Sequence, residues 1–162
     1  MELEIANGFA PGLIGEVTRL HGVYYGREWG LPVLFEAYVA KGMAEFAVRF
    51  DPARDGAWSV WEQGELAAFL AADLGSEPGR AMLRWFIADP ARAGRGLGRR
   101  LLDTALAHCR CQGVSEVSLW TFAGLRAARV LYDRAGFVPV AEERDDRYGR
   151  ELVSQKLVLR LG

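Results

Sequence analysis

The chain has 162 residues, about half of them apolar and a quarter charged, and a formal net charge of −1. This balance lacks the basic excess typical of proteins that bind nucleic acid or anionic lipid, so neither partner is expected. No run approaches the roughly 20 apolar residues that span a bilayer. The acidic first residues match neither a secretory signal nor a membrane anchor. Length and composition predict one domain over residues 1–162, located in the cytoplasm.

The N-terminal third predicts a short strand and two helices. Residues 2–5 alternate as a strand does, and apolar residues recur at helical spacing from Leu13. A glycine-rich break over residues 26–32 precedes a second amphipathic helix, which runs to Phe50. Pro52 ends it, because the residue before a proline is pushed away from helical angles.

The rest of the chain alternates strands and helices. Residues 58–61 and 66–72 predict a hairpin around Gln63-Gly64, and residues 82–87 predict a largely buried strand. The later elements are a helix over 97–109, a strand over 114–121, a helix over 124–135 capped by Gly136, and strands over 137–140 and 152–161. This order predicts a mixed sheet flanked by helices, an α/β or α+β layered domain.

The two cysteines, Cys109 and Cys111, form a Cys-x-Cys pair on the third predicted helix. Zinc sites usually need four ligands in recognisable spacing, and no second ligand pair accompanies these two. We therefore expect reduced thiols and no metal.

The most informative segment joins the buried strand to the third helix. Residues 89–100 read Asp-Pro-Ala-Arg-Ala-Gly-Arg-Gly-Leu-Gly-Arg-Arg. Glycines let backbone amides approach a ligand closely, and a helix N-terminus adds free N–H groups and a positive dipole end. The turn therefore predicts a phosphate or pyrophosphate site, with Arg95, Arg99 or Arg100 as added positive charge.

Three phosphate-binding motifs and an ordinary tight turn compete for this segment. It lacks the lysine and hydroxyl of a Walker A loop, and its Gly-x-Gly-x-Gly spacing differs from the Gly-x-Gly-x-x-Gly of a Rossmann fingerprint. The pyrophosphate loop of coenzyme A-dependent acetyltransferases, Arg/Gln-x-x-Gly-x-Gly, matches residues 93–98 at five of its six positions.

A second segment, residues 127–137, reads Ala-Ala-Arg-Val-Leu-Tyr-Asp-Arg-Ala-Gly-Phe. It resembles the second signature of the GNAT acetyltransferase superfamily, which ends Leu-Tyr-x-x-x-Gly-Phe. Both segments stand in the order and spacing that this family uses, and the two N-terminal helices and the strand meander match it as well. Residues 21–54 and 142–150 look like GNAT domains fused to MarR-type regulators, without the DNA-binding half.

The resemblance implies a fold and a cofactor. The fold is a mixed, mostly antiparallel sheet of about seven strands with about four helices and a splayed parallel strand pair. The cofactor is acetyl-CoA, whose pantetheine arm enters the gap between the strands that end at Ala88 and Thr121. The cofactor-binding residues that the resemblance implies are Phe86, Ile87, Ala88, Ala93, Gly94, Arg95, Gly96, Leu97, Gly98, Arg99, Leu125 and Ala128.

Two positions depart from the family pattern. Ala93 replaces the usual Arg or Gln of the loop, whose contribution is largely its backbone N–H. Leu125 stands where Asn is frequent, which weakens one polar contact to the cofactor.

The resemblance also implies a mechanism. A primary amine, expected to be a small molecule, attacks the thioester directly in one shared site. The N–H of Ile87 is expected to stabilise charge on the thioester oxygen, and Tyr132 to protonate the leaving thiolate, unless Tyr132 only packs against the cofactor. The general base stays open; the candidates by residue type are Glu36, Glu45, Asp73 and His21.

The acceptor pocket is expected between the first two helices and the last hairpin. Five aromatic residues lie in that neighbourhood, either as pocket wall or as core: Tyr24, Tyr25, Trp29, Phe35 and Tyr38. The charged residues 142–147 predict a solvated turn whose acids could attract a cation. A homodimer is a further expectation from the resemblance.

Two rival functions stay open. A non-catalytic acyl-CoA sensor is favoured by Ala93 and Leu125 and opposed by Tyr132. An enzyme that uses the glycine turn for ATP is disfavoured, because no magnesium-binding Ser or Thr follows the turn.

Overall fold

The computed structural model describes residues 3–162, and within them a seven-stranded sheet carries helices on both faces. The helices are α1 (Leu13–Trp29), α2 (Val33–Arg49), α3 (Leu97–Cys111) and α4 (Arg126–Ala135). The strands are β1 (Ile5–Asn7), β2 (Gly56–Glu62), β3 (Glu65–Asp73), β4 (Arg80–Ala88), β5 (Glu116–Phe122), β6 (Val138–Asp145) and β7 (Leu152–Arg160). No helix in this part of the chain is long and apolar enough to cross a membrane.

The strand order is β1-β2-β3-β4-β5-β7-β6. Every neighbouring pair is antiparallel except β4 and β5, which run parallel. The expected mixed, mostly antiparallel sheet with one parallel pair and four helices is confirmed.

Each helix buries one stripe of apolar side chains against the sheet. In α1 and α2 the buried residues recur every three to four positions, and they pack with Phe69 and Ile87 on one face. The buried stripe of α3 packs on the opposite face with Leu83, Val117 and Leu119. β3 is buried along almost its whole length because it lies between these two layers.

Three boundaries differ from the sequence-based prediction. α1 continues through Gly26 and ends at Gly30, which adopts left-handed angles (φ 63°), so the predicted break at Gly26 is wrong. β1 begins at Ile5, whereas the predicted strand began at Glu2, which lies outside the described residues. Residues 142–145 extend β6 as an exposed edge strand, so the predicted solvated turn is shorter.

The parallel pair separates halfway along its length. β4 and β5 are paired only from Arg80 and Glu116 to Leu83 and Leu119. Beyond these residues β4 stays beside β3 and β5 stays beside β7. A bulge lies in β4 where the two part, and Trp85 within it has φ 53°, which is uncommon for a non-glycine residue. The backbone edges of the two strands therefore face each other across a gap.

Candidate active site

A cavity of about 970 Å³ opens at this gap. Its wall includes β4 and β5, the N-terminal turns of α3 and α4, the inner faces of α1 and α2, and the β6–β7 hairpin. The predicted site residues that line it are Phe86, Ile87, Ala88, Ala93, Gly98, Leu125, Ala128 and Tyr132. Gly94, Arg95, Gly96, Leu97 and Arg99 form the turn and first helical residues beside it.

The glycine turn leaves its backbone amides free. Gly94 and Gly96 adopt left-handed angles, with φ 82° and 71°, and a Cβ at either would meet no atom within 4 Å. In the part of the chain that the structure describes, the N–H groups of residues 94–99 donate to no protein acceptor. A run of free amides at a helix N-terminus is a ready anion-binding site.

The expected contribution of Ala93 is wrong. Its N–H donates to the carbonyl of Pro90 at 3.2 Å, so the free amides begin only at Gly94. The neighbouring Arg92 does not replace the missing basic side chain, because Glu62, Glu65 and Asp89 surround its guanidinium. Arg92 therefore anchors the turn to the β2–β3 hairpin.

The other turn residues have distinct roles. Arg95 pairs with Glu62, and Arg100 donates to the carbonyl of Leu3 at 2.9 Å. Arg99 is exposed and lies 3.8 Å from Asp103, so among the three proposed arginines its charge is the most accessible. The side chain of Leu97 is buried in the core, which leaves only its backbone for a ligand.

Strand alternation decides which β4 amides face the gap. Asp89 N–H donates to the Ala67 carbonyl on β3, and Ile87 stands two residues earlier in the same register, opposite Phe69. In an antiparallel pair such residues direct both backbone groups to the partner strand. The expectation that the Ile87 N–H faces the thioester is therefore wrong. The backbone groups of Ala88 and the carbonyl of Phe86, which lies opposite the Ile87 N–H in their shared peptide plane, therefore point towards β5.

Tyr132 lies on α4 between the rings of Phe86 and Phe137, with centroid distances of 6.1 and 5.8 Å. Its ring is buried and lines the cavity. Burial raises the pKa of its phenol well above the ordinary value, so the group keeps its proton at neutral pH.

Tyr25 of α1 lines the same cavity as Tyr132. Its ring packs against that of Tyr24 at a centroid distance of 4.8 Å, and burial raises the pKa of its phenol above the ordinary value. The N-terminal helices therefore reach the same region of the cavity as α4.

His21 is the buried imidazole in the cavity wall. Nδ1 donates to the carbonyl of Val17 at 2.8 Å, which leaves Nε2 as the unprotonated nitrogen. Burial lowers the pKa of His21 to about 4, more than the Val17 bond raises it, so the ring is neutral at physiological pH. A neutral imidazole can accept a hydrogen bond from an amine.

The three acidic candidates for a base differ in position. Asp73 lies at the far end of β3, where Arg49 and Arg84 hold its carboxylate. Glu36 lies against Gly22 between α1 and α2 and does not line the cavity. Glu45 lines the cavity from the exposed surface of α2.

Aromatic rings form the end of the cavity opposite the glycine turn. Of the five residues expected from sequence, Tyr24, Tyr25, Phe35 and Tyr38 line the cavity, whereas Trp29 packs against Phe122 and does not line it; the structure adds Phe122 and Tyr148. Tyr148 packs against Phe35 and Tyr38 at centroid distances of 5.1 and 5.4 Å. Neither added residue carries a local sequence signal, because each reaches this end through the pairing of β5, β6 and β7.

The cysteines lie outside this cavity. Cys109 is buried in the core, where burial raises the pKa of its thiol to about 11, and Cys111 is exposed. Among residues 3–162, no three His, Cys, Asp or Glu side chains are grouped as metal ligands.

Comparison with known proteins agrees with this geometry. The model of the acetyltransferase (GNAT) family matches residues 19–137. A mycothiol acetyltransferase from Beutenbergia cavernae is 39% identical over 94 residues, which make up 57% of this chain and 31% of that protein. The chain spans about a third or less of the curated relatives it matches.

Solved structures share the whole fold at low sequence identity. A GNAT-family acetyltransferase from Staphylococcus aureus superposes with a TM-score of 0.81 at 12% identity, over 99% of this chain and 100% of that one. A proposed acetyltransferase from Salmonella typhimurium, solved with its cofactor acetyl-CoA, has a TM-score of 0.73 at 16% identity, over 100% and 95% of the two chains. The family match covers most of the sequence, and the chain belongs to the acetyltransferase (GNAT) family.

Proposed function

We propose that this protein transfers an acetyl group from acetyl-CoA to the primary amine of a small molecule by direct attack. The observation that carries the proposal is the joint placement of the free amides, the separated strands and Tyr132 around one cavity. The free amides supply an anion site and the strand edges supply unpaired backbone groups. The anion site suits the pyrophosphate of coenzyme A, and the unpaired strand edges suit its pantetheine arm.

The described residues fit acetyl-CoA. The free amides of residues 94–99 would hold the pyrophosphate, with the exposed Arg99 as countercharge. The outward-facing backbone groups of Phe86 and Ala88 would pair with the pantetheine arm as a further strand would. Leu125 and Ala128 would border the arm from the start of α4.

When bound, acetyl-CoA supplies an activated acetyl group: the amine nitrogen bonds to the acetyl carbon, the carbon–sulfur bond breaks, and coenzyme A leaves as a thiol. We assign the stabilisation of negative charge on the acetyl oxygen to the N–H of Phe86, which adjoins the bulge where the two strands part. Tyr132 would donate a proton to the leaving sulfur, and the amine loses one to solvent or to a base.

Binding of acetyl-CoA tests the cofactor site. Calorimetry of the unchanged protein should give a micromolar dissociation constant. The double variant Arg95→Glu, Gly96→Asp should weaken binding at least about tenfold, because it adds negative charge and strain where the pyrophosphate rests.

The matched control is Arg110→Glu, Gly113→Asp at the other end of α3. Gly113 has φ 75° and equally open surroundings, and Arg110 is exposed, so charge and backbone change as in the test variant. Binding should persist in this control. Equal loss in both variants would mean that the glycine turn is structural only.

Turnover separates an enzyme from a sensor. Release of the coenzyme A thiol with a panel of primary amines should exceed release without an acceptor. Tight binding with no turnover of any amine would favour the acyl-CoA sensor instead.

Three finer predictions come from the sequence rather than from the geometry. They are a cytoplasmic location, a homodimer, and kinship with the GNAT domains fused to MarR-type regulators. Light scattering of the purified protein checks the homodimer, which would appear at twice the mass of 17.9 kDa.

A further inference from the structure

We infer that the acceptor is a primary amine carried on a flat apolar body, such as an aromatic ring, rather than on a hydrophilic one. This inference rests on the proposed function for the identity of the reacting group. The evidence for the flat apolar body comes from the residues that line the cavity. These residues lie at what we call the acceptor end. It is the part of the cavity bounded by α1, α2, Phe122 and the β6–β7 hairpin.

The rings at the acceptor end form one continuous surface across four elements. Tyr25 of α1 packs against Phe35 of α2 at 4.8 Å and Phe122 of β5 at 5.7 Å. Tyr148, in the β6–β7 turn, lies 5.1 Å from Phe35 and 5.4 Å from Tyr38. These distances are those of edge-to-face and tilted aromatic pairs, so an added ring can pack in the same way.

The rings at this end that line the cavity and are at least partly exposed are Tyr24, Tyr38, Phe122 and Tyr148. Tyr25 and Phe35 are buried and belong to the core as much as to the cavity. Tyr38 is 47% exposed and Tyr148 is half-buried, and both line the cavity at its mouth. Because core packing does not account for the exposed faces of Tyr38 and Tyr148, these two residues are the ones we assign to acceptor specificity.

The charged side chains that the β6–β7 hairpin contributes to this end are paired with one another, whereas Lys41 and Glu45 of α2 line the cavity at exposed positions and form no ion pair among the described residues. Arg147 lies 2.8 Å from Asp145 and 3.5 Å from Glu143. On β4, next to this end, Arg84 pairs with Asp73 and lies over the ring of Trp85, 4.0 Å from its centroid. A hydrophilic acceptor would have to compete with these pairs, whereas a flat apolar body needs no polar partner beyond the one for its amine.

His21 supplies a partner for the amine without adding charge. Its Nδ1 proton is committed to Val17, so Nε2 can accept from the acceptor nitrogen. Its ring lies nearly parallel to that of Tyr25, at 6.1 Å and 13°. An apolar body packed on the rings would thus place its amine within a neutral polar site.

The first test titrates two amines of equal charge into the protein saturated with coenzyme A. The probes are 2-phenylethylamine and 2-(2-aminoethoxy)ethanol, which are comparable in length and differ in the body that carries the amine. The aromatic probe should bind at least about tenfold more tightly, since only its phenyl ring can pack against the rings of the wall and lose contact with water. Equal binding, or preference for the hydrophilic probe, would overturn the inference.

Variants connect the preference to the assigned residues. Tyr38→Ala and Tyr148→Ala should each weaken binding of 2-phenylethylamine roughly tenfold and leave the hydrophilic probe nearly unaffected. Tyr148→Phe should restore tight binding, because it keeps the ring and removes only the hydroxyl. Val48→Ala, at a 90% exposed site on the outer face of α2, serves as the unaffected control. An aromatic preference that survives both alanine variants would contradict the assignment.

The same titrations repeated without coenzyme A distinguish this inference from the proposed function. If the protein binds no coenzyme A but still prefers the aromatic amine, the proposed function fails and the assignment of the aromatic site stands. If coenzyme A binds and hydrophilic amines are acetylated as readily as aromatic ones, the proposed function stands and the inference fails.

Discussion

A phenol enclosed by other rings can serve as a proton donor only if it holds its proton until the thiolate forms. A phenol meets this condition at neutral pH with its ordinary pKa of about 10, and burial raises the pKa of Tyr132 further, so the proton is held more firmly. The aromatic packing of Phe86 and Phe137 fixes the ring, so removal of the hydroxyl alone leaves the local structure intact.

Tyr132→Phe should therefore lower kcat by roughly 10²–10⁴ and leave the dissociation constant for acetyl-CoA nearly unchanged. Thiol release at saturating substrate measures the first quantity and calorimetry the second. Loss of binding together with kcat would assign Tyr132 to cofactor packing instead.

His21 makes stability depend on pH in a defined direction. Its native pKa of about 4 lies below the 6.5 of an unfolded histidine, so the unfolded chain binds more protons between these values. The free energy of unfolding is unaffected by this group above pH 6.5 and falls as the pH drops towards 4. The full difference corresponds to about 3 kcal/mol.

Urea unfolding of the wild type and of His21→Leu at pH 7 and pH 4.5 checks this dependence. Carboxylates titrate in both proteins and cancel, so the wild type should lose about 2–3 kcal/mol more than the variant on acidification. Parallel losses would show that His21 is hydrated and titrates normally.

At the scale of single elements, the start of α3 fits closely against its neighbours. A Cβ at Gly98 would lie 3.0 Å from Leu131 and 3.4 Å from Phe86, whereas a Cβ at Gly15, in the first turn of α1, would meet no atom within 4 Å. The absence of a side chain at Gly98 therefore lets α3 approach α4 and β4.

Valine at these two positions separates crowding from helix propensity. Gly98→Val should be less stable than Gly15→Val by about 1–3 kcal/mol, because only the former overpacks its surroundings. It should also weaken acetyl-CoA binding by displacing the free amides. Thermal unfolding and calorimetry measure the two effects, and equal stability of the two variants would contradict the close fit.

Periodicity and turn signals predicted the four α-helices and seven strands of the described residues, since apolar spacing reports directly on which face is buried. It did not predict the bulge at Trp85 or the direction of the Ile87 backbone, because these depend on register against β3. Nor did it reveal Tyr148 or the pairing of Arg92 and Arg95 with Glu62. Those contacts join residues distant in sequence, and a single sequence carries no signal for them.

At the scale of the whole molecule, a buried carboxylate ties the helical layer to the sheet. Burial alone would raise the pKa of Asp73, but hydrogen bonds from Arg49 and the Gly75 amide and the charge of Arg84 bring it below its usual range. Arg49 makes two contacts to this carboxylate from the end of α2.

Arg49→Met should therefore lower the free energy of unfolding by about 1.5–3 kcal/mol. The control, Arg19→Met, removes an arginine of similar exposure whose partner Glu16 is on the surface of the same helix. Its cost should stay below about 0.5 kcal/mol. Chemical denaturation compares the two, and equal costs would show that the Asp73 carboxylate is solvated.

The separated strands also give the protein a built-in optical signal. Trp85 stands at the bulge of β4 and Trp120 on the facing end of β5, and both indoles line the cavity, whereas Trp58 is buried in the core. A molecule that enters the gap displaces water from these two indoles. Their emission should shift to shorter wavelength, so occupancy of the cleft can be followed in real time without any label.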